Sequence, residues 1–147
     1  MKILVTGATG FLGSRLIEKL DGLNYIDAII ATGRKIRKTH YVESEKIKYL
    51  LGELSDKKFV NKITSEVDII INCASLSSPW GTYSDFEKAN IDTQNNLIQA
   101  SKINKIKKII YISSPGVYYE FKDLIDILET SPLPKKFVNH YAKTKFL

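Results

Sequence analysis

Thr6-Gly7-Ala8-Thr9-Gly10-Phe11-Leu12-Gly13 decides how this chain is read. It follows a short apolar run, Ile3 to Val5, and opens a segment in which Phe11, Leu12, Leu16, Ile17 and Leu20 recur at helical spacing. Between a strand and a helix the three glycines have separate duties. Gly7 permits a tight turn, Gly10 leaves room for a ligand to approach the backbone, and Gly13 lets the helix lie close on the sheet. The start of the helix then offers N–H groups without intrahelical partners and the positive end of the dipole, a seat for a pyrophosphate. Thr9, Phe11 and Leu12 share the turn and join the three glycines as candidate cofactor-binding residues. No Gly-Lys-Ser/Thr follows, which argues against a nucleoside-triphosphate loop.

Outward from the turn, short apolar runs recur at Ile26 to Ala31, Ile47 to Leu51, Val67 to Ile71 and Ile109 to Ile112. Parallel strands covered on both faces lose the in/out alternation, so each run reads as a buried strand. Helical spacing separates them, as in Phe59, Val60 and Ile63, and in Phe86, Ala89, Leu97, Ile98 and Ile103. The alternation predicts an α/β fold, a Rossmann-type doubly wound parallel sheet of about five strands. Phe121, Leu124, Ile125 and Leu128 suggest a helical turn, ended by Ser131-Pro132-Leu133-Pro134.

The 147 residues, 44% apolar and 26% charged, suffice for one domain with its own core, a dinucleotide-binding unit over 1–147. A formal net charge of +6 raises the question of nucleic acid, but no Lys/Arg block is interleaved with aromatics, and no nucleic-acid partner is expected. Cys73 is the only cysteine, which excludes a disulfide framework or a Cys-rich zinc site within one chain and suits a reducing cytoplasm. Glycines interrupt the N-terminal apolar run before a signal segment forms, and no run approaches membrane-spanning length, so no membrane association is expected. His40 falls in a loop and His140 beside Tyr141, without an acidic cluster, so no metal site is expected.

The end of the second strand reads Ala31-Thr32-Gly33-Arg34-Lys35-Ile36-Arg37-Lys38, where an NAD site usually carries an acid for the ribose diol. Arg34 can instead stack on adenine and fork onto a 2′-phosphate. NADP(H) is therefore favoured, with NAD(H) the alternative. Asn72-Cys73-Ala74-Ser75 closes the fourth strand, so Cys73, Ala74 and Ser75 line the expected cofactor side, Cys73 as a small apolar residue.

Tyr141-Ala142-Lys143-Thr144-Lys145 sets a phenol and an ammonium four residues apart, one turn along a helix face. A cation there favours the phenolate, which makes Tyr141 a usable proton donor and acceptor. Ser113-Ser114-Pro115-Gly116-Val117-Tyr118 places hydroxyls at the end of the fifth strand, on the same expected side.

Together the Thr-Gly-x-x-Gly-Phe-x-Gly turn, Ser114 and the Tyr141/Lys145 pair resemble the extended short-chain dehydrogenases/reductases, which include nucleotide-sugar epimerases, dehydratases and 3β-hydroxysteroid dehydrogenases. The resemblance covers essentially the whole chain. It implies that Tyr141 protonates a carbonyl oxygen as hydride arrives, that Ser114 positions that oxygen, and that Lys145 holds the nicotinamide ribose and tunes Tyr141. Asn90 matches a helix asparagine that supports the site and its proton relay, although Thr93-Gln94 stands where the family usually has Gly-Thr. Gly52-Glu53-Leu54 is similar to a Gly-Asp-Leu segment beside adenine, with Glu53 in place of the common Asp. Trp80-Gly81-Thr82-Tyr83 with Phe86 resembles the 3β-hydroxysteroid-dehydrogenase-like branch, implying a small-molecule ketone or secondary alcohol as substrate, bulky and apolar or a β-keto acid. A nucleotide-sugar epimerase or dehydratase is the alternative, and a non-catalytic NADP-binding protein or inactive split-gene remnant another.

Family members continue for a comparable length beyond the Tyr/Lys pair and are commonly homodimeric. With Leu147 two residues after Lys145, the expectation is an N-terminal half that lacks the last strands and the substrate portion, is inactive alone, and calls for a complementary C-terminal chain.

Overall fold

The computed structural model describes residues 1–147. Five strands form where the apolar runs lie: β1 (Lys2–Thr6), β2 (Ala28–Gly33), β3 (Ile47–Leu51), β4 (Ile69–Asn72) and β5 (Lys108–Tyr111). All pair in parallel, in the order β3-β2-β1-β4-β5. The chain steps outward from β1 to β3 and then crosses back to place β4 on the other side of β1. The strand order thus reverses between β1 and β4, and in open α/β sheets the crevice at such a point takes the ligand.

Successive residues of β1 point to opposite faces, and both faces are covered. Ile3 and Val5 pack with Ile17 of helix α1 (Phe11–Asp21), Ile29 and Ala31. Leu4 packs on the other face with Val60 and Ile63 of α2 (Lys57–Thr64) and Leu97 and Ala100 of α4 (Thr93–Ile103). Burial of one such aliphatic side chain contributes about 2 kcal/mol. Double coverage is why β1, β2 and β4 read as apolar runs; the edge strands β3 and β5, expected to be buried, hold no fully buried residue, and Lys48 and Lys108 stand exposed in them, because each has a strand on one side only.

Polar ties fix the second layer. Asp56 caps α2 by accepting from the Lys58 N–H at 2.8 Å, and Asn96 of α4 donates to the Leu54 carbonyl at 3.0 Å. Ahead of α4, the short helix α3 (Tyr83–Phe86) begins in a capping box between Thr82 and Asp85 and runs into a π-helical turn, Glu87–Asp92. Helix α5 (His140–Phe146) starts at Asn139, whose side chain accepts from the Ala142 N–H at 2.8 Å.

Residues 121–128 form no helix. Phe121 (φ 61°) and Asp126 (φ 54°) adopt left-handed backbone, which breaks any helical run, and Phe121, Leu124, Ile125 and Leu128 stay exposed. The pattern had helical spacing but no surface to pack against. The helical residues of this region lie earlier, in a 3₁₀ turn at Pro115–Tyr118. No helix is long and apolar enough to cross a membrane.

Candidate active site

The glycine turn joins β1 to α1 at the carboxyl rim of the sheet. Gly7 has φ +65°, and a Cβ there would come within 2.8 Å of the Cys73 and Ala74 backbone, so the turn lies directly against the end of β4. At Gly13 a Cβ would stand 2.2 Å from the Gly7 carbonyl, which is how closely α1 approaches the turn. Gly10 is different: a Cβ would meet only the Gly7 carbonyl, at 3.3 Å, and would otherwise project into open space. No side chain caps α1, and its first turn holds no acid. Open space above unpaired N–H groups suits a pyrophosphate. Phe11, 72% exposed, and Leu12 flank it on the solvent side.

A polar network backs the rim. Thr6 donates its hydroxyl to Asn72 Oδ1, the Ala74 N–H donates to the same oxygen at 3.1 Å, and Asn72 Nδ2 donates to Gln94 Oε1 at 2.6 Å. Gln94, which departs from the family's usual residue, thereby fixes the Asn72 amide that holds Ala74. Thr32 Oγ1, at the end of β2, is the one buried side-chain oxygen or nitrogen without a partner.

Asn90 is buried inside the π-helical turn. Its Oδ1 accepts from the Leu76 N–H at 2.8 Å and from Ser75 Oγ at 3.3 Å, and its Nδ2 donates to the Leu76 carbonyl at 3.2 Å and to Thr144 Oγ1 at 2.9 Å. The asparagine therefore clamps the segment after β4 to α5. It makes no hydrogen bond to Tyr141 or Lys145, so in this structure it positions the helix that carries them. π-Turns recur where a side chain must be redirected at a functional site.

Lys145 is 5% exposed, yet its ammonium is satisfied: Nζ donates to the Ile112 carbonyl at 2.7 Å and lies 4.3 Å from the centre of the Tyr111 ring. Burial holds its pKa down, to about 8, against the opposing influence of the nearby Cys73. Burial likewise pushes the Cys73 thiol up, and pushes the Tyr111 phenol up with Tyr141 adding to the effect. The ammonium is thus seated between α5, which carries it and Tyr141, and the end of β5. Ser114 begins the 3₁₀ turn that α5 packs against; its Oγ accepts from the Gly116 N–H at 3.2 Å, which leaves the hydroxyl proton free to donate elsewhere.

Other expected residues lie apart from this group. Arg34 is exposed after β2, and neither it nor Lys35, Arg37 or Lys38 pairs with an acid. Glu53 is exposed after β3, whereas the Leu54 side chain is turned into the core. Tyr83 and Phe86 pack against the His140 ring, at 5.5 and 6.0 Å between centroids, and so dock α5, while Trp80 stands 82% exposed. Sequence reasoning did not find Tyr111, Thr144 or the bond made by Gln94. Only the last had a signal, the departure from Gly-Thr.

A parallel sheet with this strand order and a glycine turn at its switch point defines a Rossmann-type α/β fold. The chain belongs to the NAD dependent epimerase/dehydratase family, whose model matches residues 3–147. It is 32% identical over 141 residues to the 2-alkyl-3-oxoalkanoate reductase of Shewanella oneidensis, covering 96% of this chain and 35% of that protein. It is 31% identical over 153 residues to the decarboxylating sterol-4-alpha-carboxylate 3-dehydrogenase of Candida albicans, covering 97% of this chain and 43% of that protein. The Bordetella bronchiseptica enzyme WbmH in complex with NAD+ superposes with a TM-score of 0.87 at 19% identity, over 99% of this chain and 49% of that one. The chain therefore spans less than half the length of these three relatives.

Proposed function

We propose that this chain forms the cofactor half of an NAD(P)-dependent oxidoreductase site that interconverts a ketone and a secondary alcohol. The observation that carries the reading is the buried ammonium of Lys145 on the Ile112 carbonyl, which seats the Tyr141/Lys145 face of α5 at the end of β5, two residues before Ser114. The nicotinamide, when bound, supplies or takes up the hydride. Tyr141 gives its phenolic proton to the substrate oxygen during reduction and recovers it during oxidation. Ser114 Oγ, with its proton free, orients that oxygen. Lys145 keeps positive charge one helical turn from the phenol and reaches toward the nicotinamide ribose. Gly7, Thr9, Gly10, Phe11, Leu12 and Gly13 hold the pyrophosphate, and Cys73, Ala74 and Ser75 line the opposite side, with Glu53 and Leu54 bordering the adenine pocket.

The cofactor in this reading is NADP(H) in preference to NAD(H). Four exposed cations without carboxylate partners follow β2, with Arg34 the first of them. Fluorescence titration of the full chain with NADPH and NADH tests this: NADPH should bind roughly tenfold tighter, and Arg34→Ala should erase most of the difference. Equal affinities in the starting protein refute it.

Two relatives support a reading of the substrate class. The reductases from Shewanella oneidensis and Stenotrophomonas maltophilia are named for 2-alkyl-3-oxoalkanoates, and the exposed Trp80 offers an apolar surface beside Asn90's segment. A β-keto carboxylate with an alkyl substituent fits both, and residues outside these 147 complete its pocket, in the same or a companion polypeptide. In that completed protein Tyr141→Phe should lower turnover by roughly two to four orders of magnitude with cofactor affinity kept. Turnover of a nucleotide sugar in place of β-keto acids would support the epimerase or dehydratase reading instead.

A further inference from the structure

The segment that carries the four cations makes few bonds to the rest of the molecule, and apart from the Tyr41 ring, which packs on Tyr49 at 5.1 Å between centroids, it is held chiefly by its own turn. From Arg34 to Tyr41 its backbone makes only the local bonds of a 3₁₀ turn at Lys38–His40, where the His40 N–H donates to the Arg37 carbonyl at 2.9 Å and the Tyr41 N–H to the Lys38 carbonyl at 3.4 Å. No side chain of Arg34 to Thr39 makes a hydrogen bond or ion pair. Outside the segment the chain is well held. Gly33 accepts from the Gly52 N–H at 3.1 Å, the Val42 N–H donates to Tyr49 Oη at 3.0 Å, and Ser44 and Lys46 bond to Asp21. Within it, a single hydrogen bond reaches across: His40 Nδ1 to the Thr9 carbonyl, at 3.2 Å and partly buried.

Thr9 belongs to the glycine turn, between Gly7 and Gly10. Its side chain also rests on Gly33, where an added Cβ would come within 2.2 Å of Thr9 Oγ1. One residue of the pyrophosphate turn is therefore gripped twice by the β2 end: through its side chain at Gly33, and through its carbonyl at His40. Because the carbonyl can only accept, Nδ1 carries the proton in this bond.

We propose that His40 is a specificity-determining positioning residue: its bond to Thr9 holds the Arg34–Lys38 segment at a fixed height over the adenosine end of the cofactor site, so that NADP(H) is distinguished from NAD(H). The inference rests on the NADP(H) preference proposed for the Arg34 segment. A strap tied at both ends presents its cations already ordered, whereas an untied one must be ordered when the 2′-phosphate binds, and that cost falls on NADPH alone. The pyrophosphate turn keeps its own bonds, Gly10 N–H to Gly7 carbonyl at 3.0 Å and Ala8 N–H to Thr32 carbonyl at 2.9 Å, so NADH binding does not depend on the strap.

The experiment measures NADPH and NADH affinities of the full chain by fluorescence titration for the starting protein, Arg34→Ala, His40→Ala and His40→Asn. His40→Ala should weaken NADPH roughly fivefold, the scale of one net hydrogen bond, and NADH less than twofold. His40→Asn, whose side-chain amide places a donor near the Nδ1 position, should restore most of the NADPH affinity. If Arg34→Ala narrows the NADPH preference but His40→Ala leaves it intact, the strap idea fails and the NADP reading stands. Equal loss of both cofactors in His40→Ala, or no recovery in His40→Asn, also overturns it by showing a merely structural role. If the starting protein shows no preference, both readings fall together.

Discussion

Replacing Lys145 with methionine exchanges a buried cation for an unbranched apolar chain of similar reach. In the folded chain burial lowers the Lys145 pKa from its usual 10.5 to about 8. Below pH 8 the folded and unfolded chains both carry the proton, and the whole penalty for burying the charge is present. Between pH 8 and 10.5 the folded chain releases its proton first, the unfolded chain binds more protons, and stability rises with pH. A displacement of this size corresponds to at most about 3 kcal/mol, since the Ile112 hydrogen bond and the Tyr111 ring return part of it to the ammonium. Cys73 titrates in the opposite sense: its folded pKa is raised, so it lowers stability as pH climbs past the ordinary thiol range. Both proteins are therefore compared in a Cys73→Ala background. Urea unfolding at pH 7, 8.5 and 10 should find Lys145→Met more stable at pH 7, with its advantage shrinking by about 2 kcal/mol by pH 10. Parallel stability curves from pH 7 to 10 would show that burial puts no strain on the ammonium, and the reasoning from its lowered pKa would be wrong.

Gly13→Ala places a Cβ 2.2 Å from the Gly7 carbonyl and 2.7 Å from the Ala8 Cα, both backbone, so α1 must move; unfolding midpoints should fall by an amount equivalent to about 2–4 kcal/mol, with NADPH binding lost. Asn90→Ala strips partners from the Leu76 N–H and carbonyl and from Thr144, and should cost about 2–4 kcal/mol by urea denaturation, while Asn90→Asp keeps the Leu76 N–H bond and should cost less. A loss under about 1 kcal/mol in Asn90→Ala would mean that water replaces the clamp.

The sheet was legible because its signal is local. Ile47–Leu51 matches β3 residue for residue, and the other four strands fall within two residues of their apolar runs; cover on both faces keeps the middles of β1 and β4 apolar, whereas the edge strand β3 admits the exposed Lys48 and was legible from its remaining apolar residues. The glycine turn was legible for a different reason: backbone crowding at Gly7 and Gly13 admits no side chain, and the sequence records that directly. Phe121 to Leu128 misled because periodicity describes a face and says nothing about whether a partner exists for it. Ser114, Tyr141 and Lys145 could be picked out by their chemistry and order. Tyr111, Thr144 and His40 could not, because their partners are an ammonium, a side-chain amide or a backbone carbonyl brought near by the fold, from up to 54 residues away in the case of Thr144 and Asn90. Such pairings leave no spacing to read.

The π-helical turn at Glu87–Asp92 separates two rotational phases of one continuous helix. An inserted residue turns everything before it by about 100° relative to everything after it. Upstream, Tyr83 and Phe86 address His140; downstream, Gln94 addresses Asn72 while Leu97 and Ala100 address the sheet. The turn acts as a gear between a scaffold helix, fixed by the core, and an entrance segment that seats the Tyr/Lys helix. Deleting one residue there would leave the core helix in place and swing the aromatic seat away from His140. The docking of α5 is thus open to change without any change to the five-stranded sheet.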